Sequence, residues 1–161
     1  MKTGLISLFY PSPVGVMEIK GDNSYIYEIT FVKDDTISKE TAQSSPLLEQ
    51  CASELDEYFA GARKFFDLPL LLEGTTFQKR VWEELAKIPY GKTLSYSDIA
   101  NIMGNPGAVR AVGGANHSNP VSIIIPCHRV IGKDGSLTGY GGGLWRKQWL
   151  LEHEIKHLSG M

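Results

Sequence analysis

The feature that most limits what this chain can fold into is a change in the spacing of its apolar residues. Up to position 32 they come in short runs that read as strands, "LISLFY", "VGVMEIK" and "YIYEITFV", with Gly21-Asp22-Asn23-Ser24 as a hairpin-type turn between the second and third. From Ser45-Pro46 onward they recur at three- and four-residue intervals, as on the buried face of a helix. A run of strands followed by a run of helices specifies an α+β chain. Ser45 is placed to cap the first helix and Pro46 to open it. Leu47, Leu48, Cys51, Leu55 and Phe59 share one face before Gly61 stops it, which makes Cys51 a core thiol.

An extended connector, Ala62 to Gly74 with Pro69 inside it, ends the first part, so the expected domains are residues 1–74 and 75–161. The boundary is also electrical. Residues 1–74 carry six Lys/Arg against twelve Asp/Glu, whereas residues 75–161 carry ten against six. A basic second half points toward a polyanion such as nucleic acid. At 161 residues the chain suits one compact unit or two small lobes. No apolar run reaches the ~18 residues a membrane span needs, and "MKTGLISLFYPSPVG" lacks the apolar core of a secretion signal. The protein is therefore expected in the cytoplasm, or in the nucleus of a eukaryote, with its two cysteines reduced. No His/Cys cluster has the spacing of structural zinc.

In the second half, Phe77, Val81, Leu85 and Ile88 mark a helix ended by Pro89-Tyr90-Gly91, with Phe77 and Trp82 in the core. "LSYSDIANIMG" begins with a capping box, Ser95 and Asp98, buries Ile99 and Ile102, and ends at Gly104. After a short turn a second helix starts near Pro106, so the pair has the helix–turn–helix arrangement that places a helix in a DNA groove. On that second helix Arg110 stands among Ala108, Ala111, Gly113, Gly114 and Ala115. Small residues allow close approach to a sugar-phosphate edge with one arginine reaching into the base stack; they equally suit a helix packed tightly on its neighbour with a surface arginine. The sequence alone supports both.

In "VSIIIPCHRV", Val121 to Ile125 reads as a buried extended run, and Pro126 then puts Cys127 at a turn. A cysteine nucleophile works as the thiolate and needs a base, for which His128 is the adjacent candidate. The last helix, about Gly143 to Leu158, buries Trp149, Leu150 and Ile155 and offers Glu152, His153, Glu154 and His157 as partners to orient that base.

Taken in order, "GTTFQKRVWEELAKIPYGKTLSYSDIA", "RAVGGANHSNPVSIIIPCHRV" and "GYGGGLWRKQWLLEHE" closely resemble the O6-alkylguanine-DNA alkyltransferases, also called methylated-DNA–protein-cysteine methyltransferases. "YPSPVG" and "FDLPLLLEGT" extend the likeness more loosely into the first half. The resemblance implies a small N-terminal α/β lobe, a three-stranded antiparallel sheet with a helix, and a mostly helical, winged-helix-like C-terminal domain. It implies suicide transfer of the alkyl group from O6-alkylguanine, and from O4-alkylthymine, to Cys127, with no cofactor and no metal, on double-stranded DNA bound by a monomer.

By the same resemblance His128 takes the thiol proton through a water, Glu154 orients His128, and Asn119 braces the hinge between the helix–turn–helix and the active-site loop. Tyr96 assists rotation of the nucleotide and contacts the flipped base. Arg110 fills the vacated stack, with Ala111, Gly113 and Ser95 beside it on the DNA, and the second helix enters the minor groove. Val130, Tyr140, Gly141, Ser122 and Lys147 line the guanine pocket. Gly141 stands where some relatives have serine, Ser122 where some have proline and Val109 where alanine is common; the first two lead to the expectation of a roomier pocket that accepts bulky adducts. Three rivals are weighed against this. A lesion-binding relative without activity has tryptophan in place of the cysteine, and Cys127 argues against it. A redox-sensing regulator needs base-reading Asn, Gln and Arg side chains, in which the second helix is poor. A cysteine hydrolase would regenerate its thiol.

Overall fold

The computed structural model describes residues 5–33 and 44–158. It divides into two compact units, Met1–Leu72 and Glu73–Met161. Among the described residues no helix is long and apolar enough to cross a membrane.

In the first unit, β1 (Ile6–Ser12), β2 (Gly15–Gly21) and β3 (Ile26–Phe31) form an antiparallel sheet in the order β1-β2-β3. Met17 and Ile19, two apart on β2, point to the same face and are fully buried, as the two-residue period of a strand requires. Asp22 shapes the expected turn: its carboxylate accepts from the Ser24 and Tyr25 amides at 2.7 and 2.8 Å. Helix α1 (Pro46–Phe59) begins as expected, with the Ser45 hydroxyl accepting from the Leu48 amide, and it buries Leu47, Leu48, Cys51 and Leu55. The connector is less passive than the sequence suggests. Leu70 bridges Ile26, whose amide donates to the Pro69 carbonyl while its carbonyl accepts from Leu71, so part of residues 62–74 is tied to the β3 edge.

In the second unit, α2 (Thr76–Ala86) starts from a Thr75–Gln78 capping box and buries Val81, Trp82 and Leu85; Phe77 is only half-buried. Helix α3 (Tyr96–Ile102) has the anticipated Ser95–Asp98 capping box, and Gly104 ends it with a φ of 76°. Ile102, expected in the core, is 54% exposed, and Met103, just past the helix, is buried. A 3-10 turn at Pro106–Ala108 leads into α4 (Val109–His117). The Trp82 indole donates to the Ala115 carbonyl at 2.9 Å, which fixes α4 against α2. Helix α5 (Leu144–His157) buries Lys147, Leu150, His153 and Glu154, whereas Ile155 is exposed and Trp149 half-buried. Its buried face therefore carries more charge than an apolar count reveals. Two short strands, β4 (Leu94–Ser95) and β5 (Val130–Ile131), pair in parallel and join the start of α3 to the segment that follows Cys127.

Candidate active site and nucleic-acid interface

The segment from Val121 to Cys127 is where the sequence reading departs furthest from the structure. It is a pair of tight turns rather than an extended run. The Ile124 amide donates to the Ser122 carbonyl at 2.9 Å across Ile123, whose φ of 74° makes it the only non-glycine with positive φ among the described residues. That is a γ-turn of the strained hand. Three residues on, the Cys127 amide donates to the Ile125 carbonyl at 2.8 Å across Pro126, at φ −82° and ψ 66°, the relaxed inverse γ-turn. Proline fixes the second turn by its ring. A buried β-branched residue in the first is tolerated only because its surroundings hold it. Asn119 supplies much of that hold, accepting from the Val121 amide at 3.1 Å and donating to the Ile125 carbonyl at 2.7 Å.

The turns deliver Cys127 to the start of a 3-10 turn, Cys127–Arg129, that is buried throughout. Burial pushes the Cys127 thiol above its ordinary value, while a hydrogen bond from the Asn119 side chain and the Lys147 charge pull the other way. His128 is fully buried and its Nε2 lies 2.6 Å from Glu154 Oε2. Desolvation lowers the pKa of His128 despite the neighbouring Glu154 carboxylate, so the imidazole is neutral at physiological pH. Burial alone would raise Glu154, but His128 and Arg129 outweigh it and hold the carboxyl well below the usual range. An ionised Glu154 assigns the proton of a neutral imidazole to Nε2, leaving Nδ1 as the basic nitrogen. Nδ1 has no hydrogen-bond partner among the described residues.

Sequence reasoning missed Arg129. Its Nε and Nη2 donate to the two oxygens of Glu154 at 2.8 and 3.1 Å, and its Nη1 donates to the Ile88 carbonyl at 2.7 Å. With the Gly91 amide at 3.2 Å, the carboxylate accepts four hydrogen bonds from three directions. The available signal was the position of Arg129 inside a run expected to be buried, since a buried arginine is almost never unpaired. Asn116, which reaches the Cys127 carbonyl at 3.4 Å, gave no comparable signal.

Lys147 is fully buried, donates to the Thr138 carbonyl at 2.6 Å and lies 5.7 Å from the centroid of the Tyr96 ring. Burial lowers its pKa to about 8, with the Cys127 thiolate acting in the opposite direction. The Tyr96 hydroxyl donates to the same carbonyl at 2.9 Å. Tyr140 is buried beside this group; burial raises its phenol, Cys127 adds to the rise, and a hydrogen bond from the Ser122 side chain opposes it. Cys127, His128, Glu154, Asn119, Lys147, Tyr96, Tyr140 and Ser122 are thus drawn into one neighbourhood from α3, α5, the 3-10 turn at Cys127 and the loops that carry Asn119, Ser122 and Tyr140. Val130 is buried in β5, paired with Leu94, and Gly141 is exposed near His117.

The residues expected on DNA form a separate surface. Arg110 and Ala111 are exposed on α4, and Ser95 is half-buried at the start of α3. A Cβ added at Gly114 would meet nothing within 4 Å, and one at Gly113 would lie 3.9 Å from the Tyr96 ring. The small residues of α4 therefore open an accessible strip next to Tyr96. Among the described residues, no three His, Cys, Asp or Glu side chains gather as a metal centre requires.

Residues 5–72 match the ribonuclease-like domain, and residues 76–156 the DNA-binding domain, of the 6-O-methylguanine DNA methyltransferase family. A methylated-DNA–protein-cysteine methyltransferase of Mycobacterium leprae is 49% identical over 91% of this chain and 89% of its own length, and one of Methanosarcina acetivorans 44% over 90% and 95%. A crystal structure of Mycobacterium tuberculosis OGT in complex with DNA superposes with a TM-score of 0.86 at 44% identity, covering 94% of this chain and 93% of that one.

Proposed function

The chain belongs to the methylated-DNA–protein-cysteine methyltransferase family, and from that premise we propose that Cys127 is the cysteine that takes the alkyl group. The protein is a DNA-repair enzyme that works by direct reversal, moving an alkyl group from damaged DNA onto itself. The observation that carries the assignment of Cys127 is its position directly before His128 in a buried 3-10 turn, with the Nε2 of that imidazole committed to the Glu154 carboxylate. Cys51 has no such neighbour: burial beside Glu54 pushes its thiol up to about 12.

In the proposed reaction the Cys127 proton passes through a bridging water to His128 Nδ1, and Glu154 stabilises the imidazolium that forms. The sulfur attacks the alkyl carbon of O6-alkylguanine, or of O4-alkylthymine, in line with the departing oxygen. The S–C bond forms, the C–O bond breaks with its electron pair going to the base, and the proton returns to leave the base neutral. A thioether has no ready leaving group, so the protein is consumed, and neither cofactor nor metal enters the balance. Lys147 and Asn119 favour the thiolate, which burial would otherwise suppress.

An alkylated oxygen inside a duplex is out of reach, so the nucleotide is turned out into the site at a cost of about a few kcal/mol. Arg110 takes its place in the stack, the α4 strip with Ala111 and Gly113 follows the minor groove, Ser95 meets the backbone and Tyr96 supports the rotated nucleotide. Val130, Tyr140, Gly141 and Ser122 form the wall against the base. The protein acts on duplex DNA as a monomer, in the cytoplasm or nucleus. Successive additions of lesion-bearing duplex test the reading: transfer stops at one alkyl group per molecule if it holds, and continued turnover overturns it.

A further inference from the structure

Between Thr138 and α5 runs a loop, Gly139–Gly143, in which four of five residues are glycine and two, Gly139 and Gly143, adopt φ of 59° and 96°. Such a segment has little stiffness of its own. Its first end is tied down at the Thr138 carbonyl, which accepts from both Lys147 and Tyr96. Its single side chain, Tyr140, is buried toward Cys127.

The second end is held by two residues that the transfer chemistry does not use. Arg146 Nη1 donates to the Gly142 carbonyl at 2.5 Å, and the Arg146 guanidinium stacks 4.6 Å from the centroid of the Trp145 ring. The indole also lies along Gly143, where an added Cβ would be 3.5 Å from Trp145 Cδ1. Trp145 is 55% exposed, so burial in a core does not account for its placement. Gly141 itself is exposed, and a Cβ added there would meet only His117, at 3.9 Å, an ordinary van der Waals contact.

Resting on the reading of Cys127 as acceptor, we propose that Trp145 and Arg146 form a latch on the Gly139–Gly143 loop and thereby set the largest alkyl group that reaches the thiol. Both are positioning residues. Engaged, the latch keeps Tyr140 against the site. A cation over an exposed ring and one hydrogen bond are modest interactions, so a bulky adduct displaces the loop only by breaking them.

The test uses the full chain and two duplexes, one with O6-methylguanine and one with O6-benzylguanine, under single-turnover conditions. Trp145→Ala and Arg146→Ala are each expected to raise the benzyl-to-methyl rate ratio about threefold or more. The double variant should gain no more than the larger single effect, because one latch is broken either way. Trp145→Phe, which keeps a ring for the guanidinium, should retain the parent ratio and also guards against a general effect of truncation. An unchanged ratio in both alanine variants, or an equal fall in both rates, overturns the latch while leaving the acceptor assignment in place. Failure of the parent protein to take a methyl group on Cys127 overturns both.

Discussion

At the scale of single residues, Cys127 poses a conflict: the chemistry needs a thiolate, yet burial raises the thiol. The conflict is resolved if the proton leaves in the same step as transfer, which gives His128 its purpose. Replacing His128 with Gln should therefore leave a thiol that reacts only as it ionises, with a transfer rate that climbs roughly tenfold per pH unit from neutrality upward. A flat profile in that variant would show that His128 is not the base. Arg129 sets the carboxylate that sets the imidazole. Arg129→Met should cost about 3 kcal/mol or more of stability, since it leaves Glu154 buried with half its donors gone, and a denaturation midpoint close to that of the parent would contradict this. Cys51→Ala should still accept one alkyl group per molecule.

Among the elements, the turn through Ile123 is where function and foldability pull apart. Its left-handed backbone costs on the order of 1–3 kcal/mol and persists because Asn119 and the buried side chain hold it. Glycine adopts that conformation without strain, so Ile123→Gly should be at least as stable as Ile123→Ala, the reverse of the usual order in regular structure; equilibrium denaturation of the pair decides it. Arg110→Ala, on an exposed face of α4, should leave stability unchanged and slow transfer from duplex DNA more than from a single-stranded lesion, where no stack is left to fill. The same elements show what a sequence can and cannot display. Caps and stops were legible, as at Ser45, Ser95 and Gly104, because they act on their own neighbours. The form of the Val121–Ile125 segment was not, since nothing local favours positive φ at an isoleucine. Ile102 and Ile155 fell on apolar faces but lie exposed, because burial depends on which partner arrives, and α5 turns Glu154 and Lys147 inward instead. His128 was legible as a candidate base, Glu154 only as one of four candidate partners until the family resemblance singled it out, and Arg129 only as a charge out of place.

Across the whole molecule the ionisable groups predict how it responds to acid and salt. His128 has a folded pKa below its ordinary 6.5, so its contribution to stability is complete above pH 6.5 and is lost as pH falls below it. Glu154, held below its ordinary 4.5, follows in the same direction at lower pH. Thermal stability should therefore fall from about pH 6.5 downward, and His128→Gln should flatten the first part of that decline. DNA affinity should fall as salt rises, through the basic residues 75–161, even though the chain as a whole carries a net charge of −2. The most direct test of the account is the peptide mass map of the protein after reaction with a duplex containing one O6-methylguanine. The protein should gain one methyl group, on the peptide containing Cys127 and nowhere else. A methyl group on the Cys51 peptide, or bound DNA with no gain in mass, would contradict it.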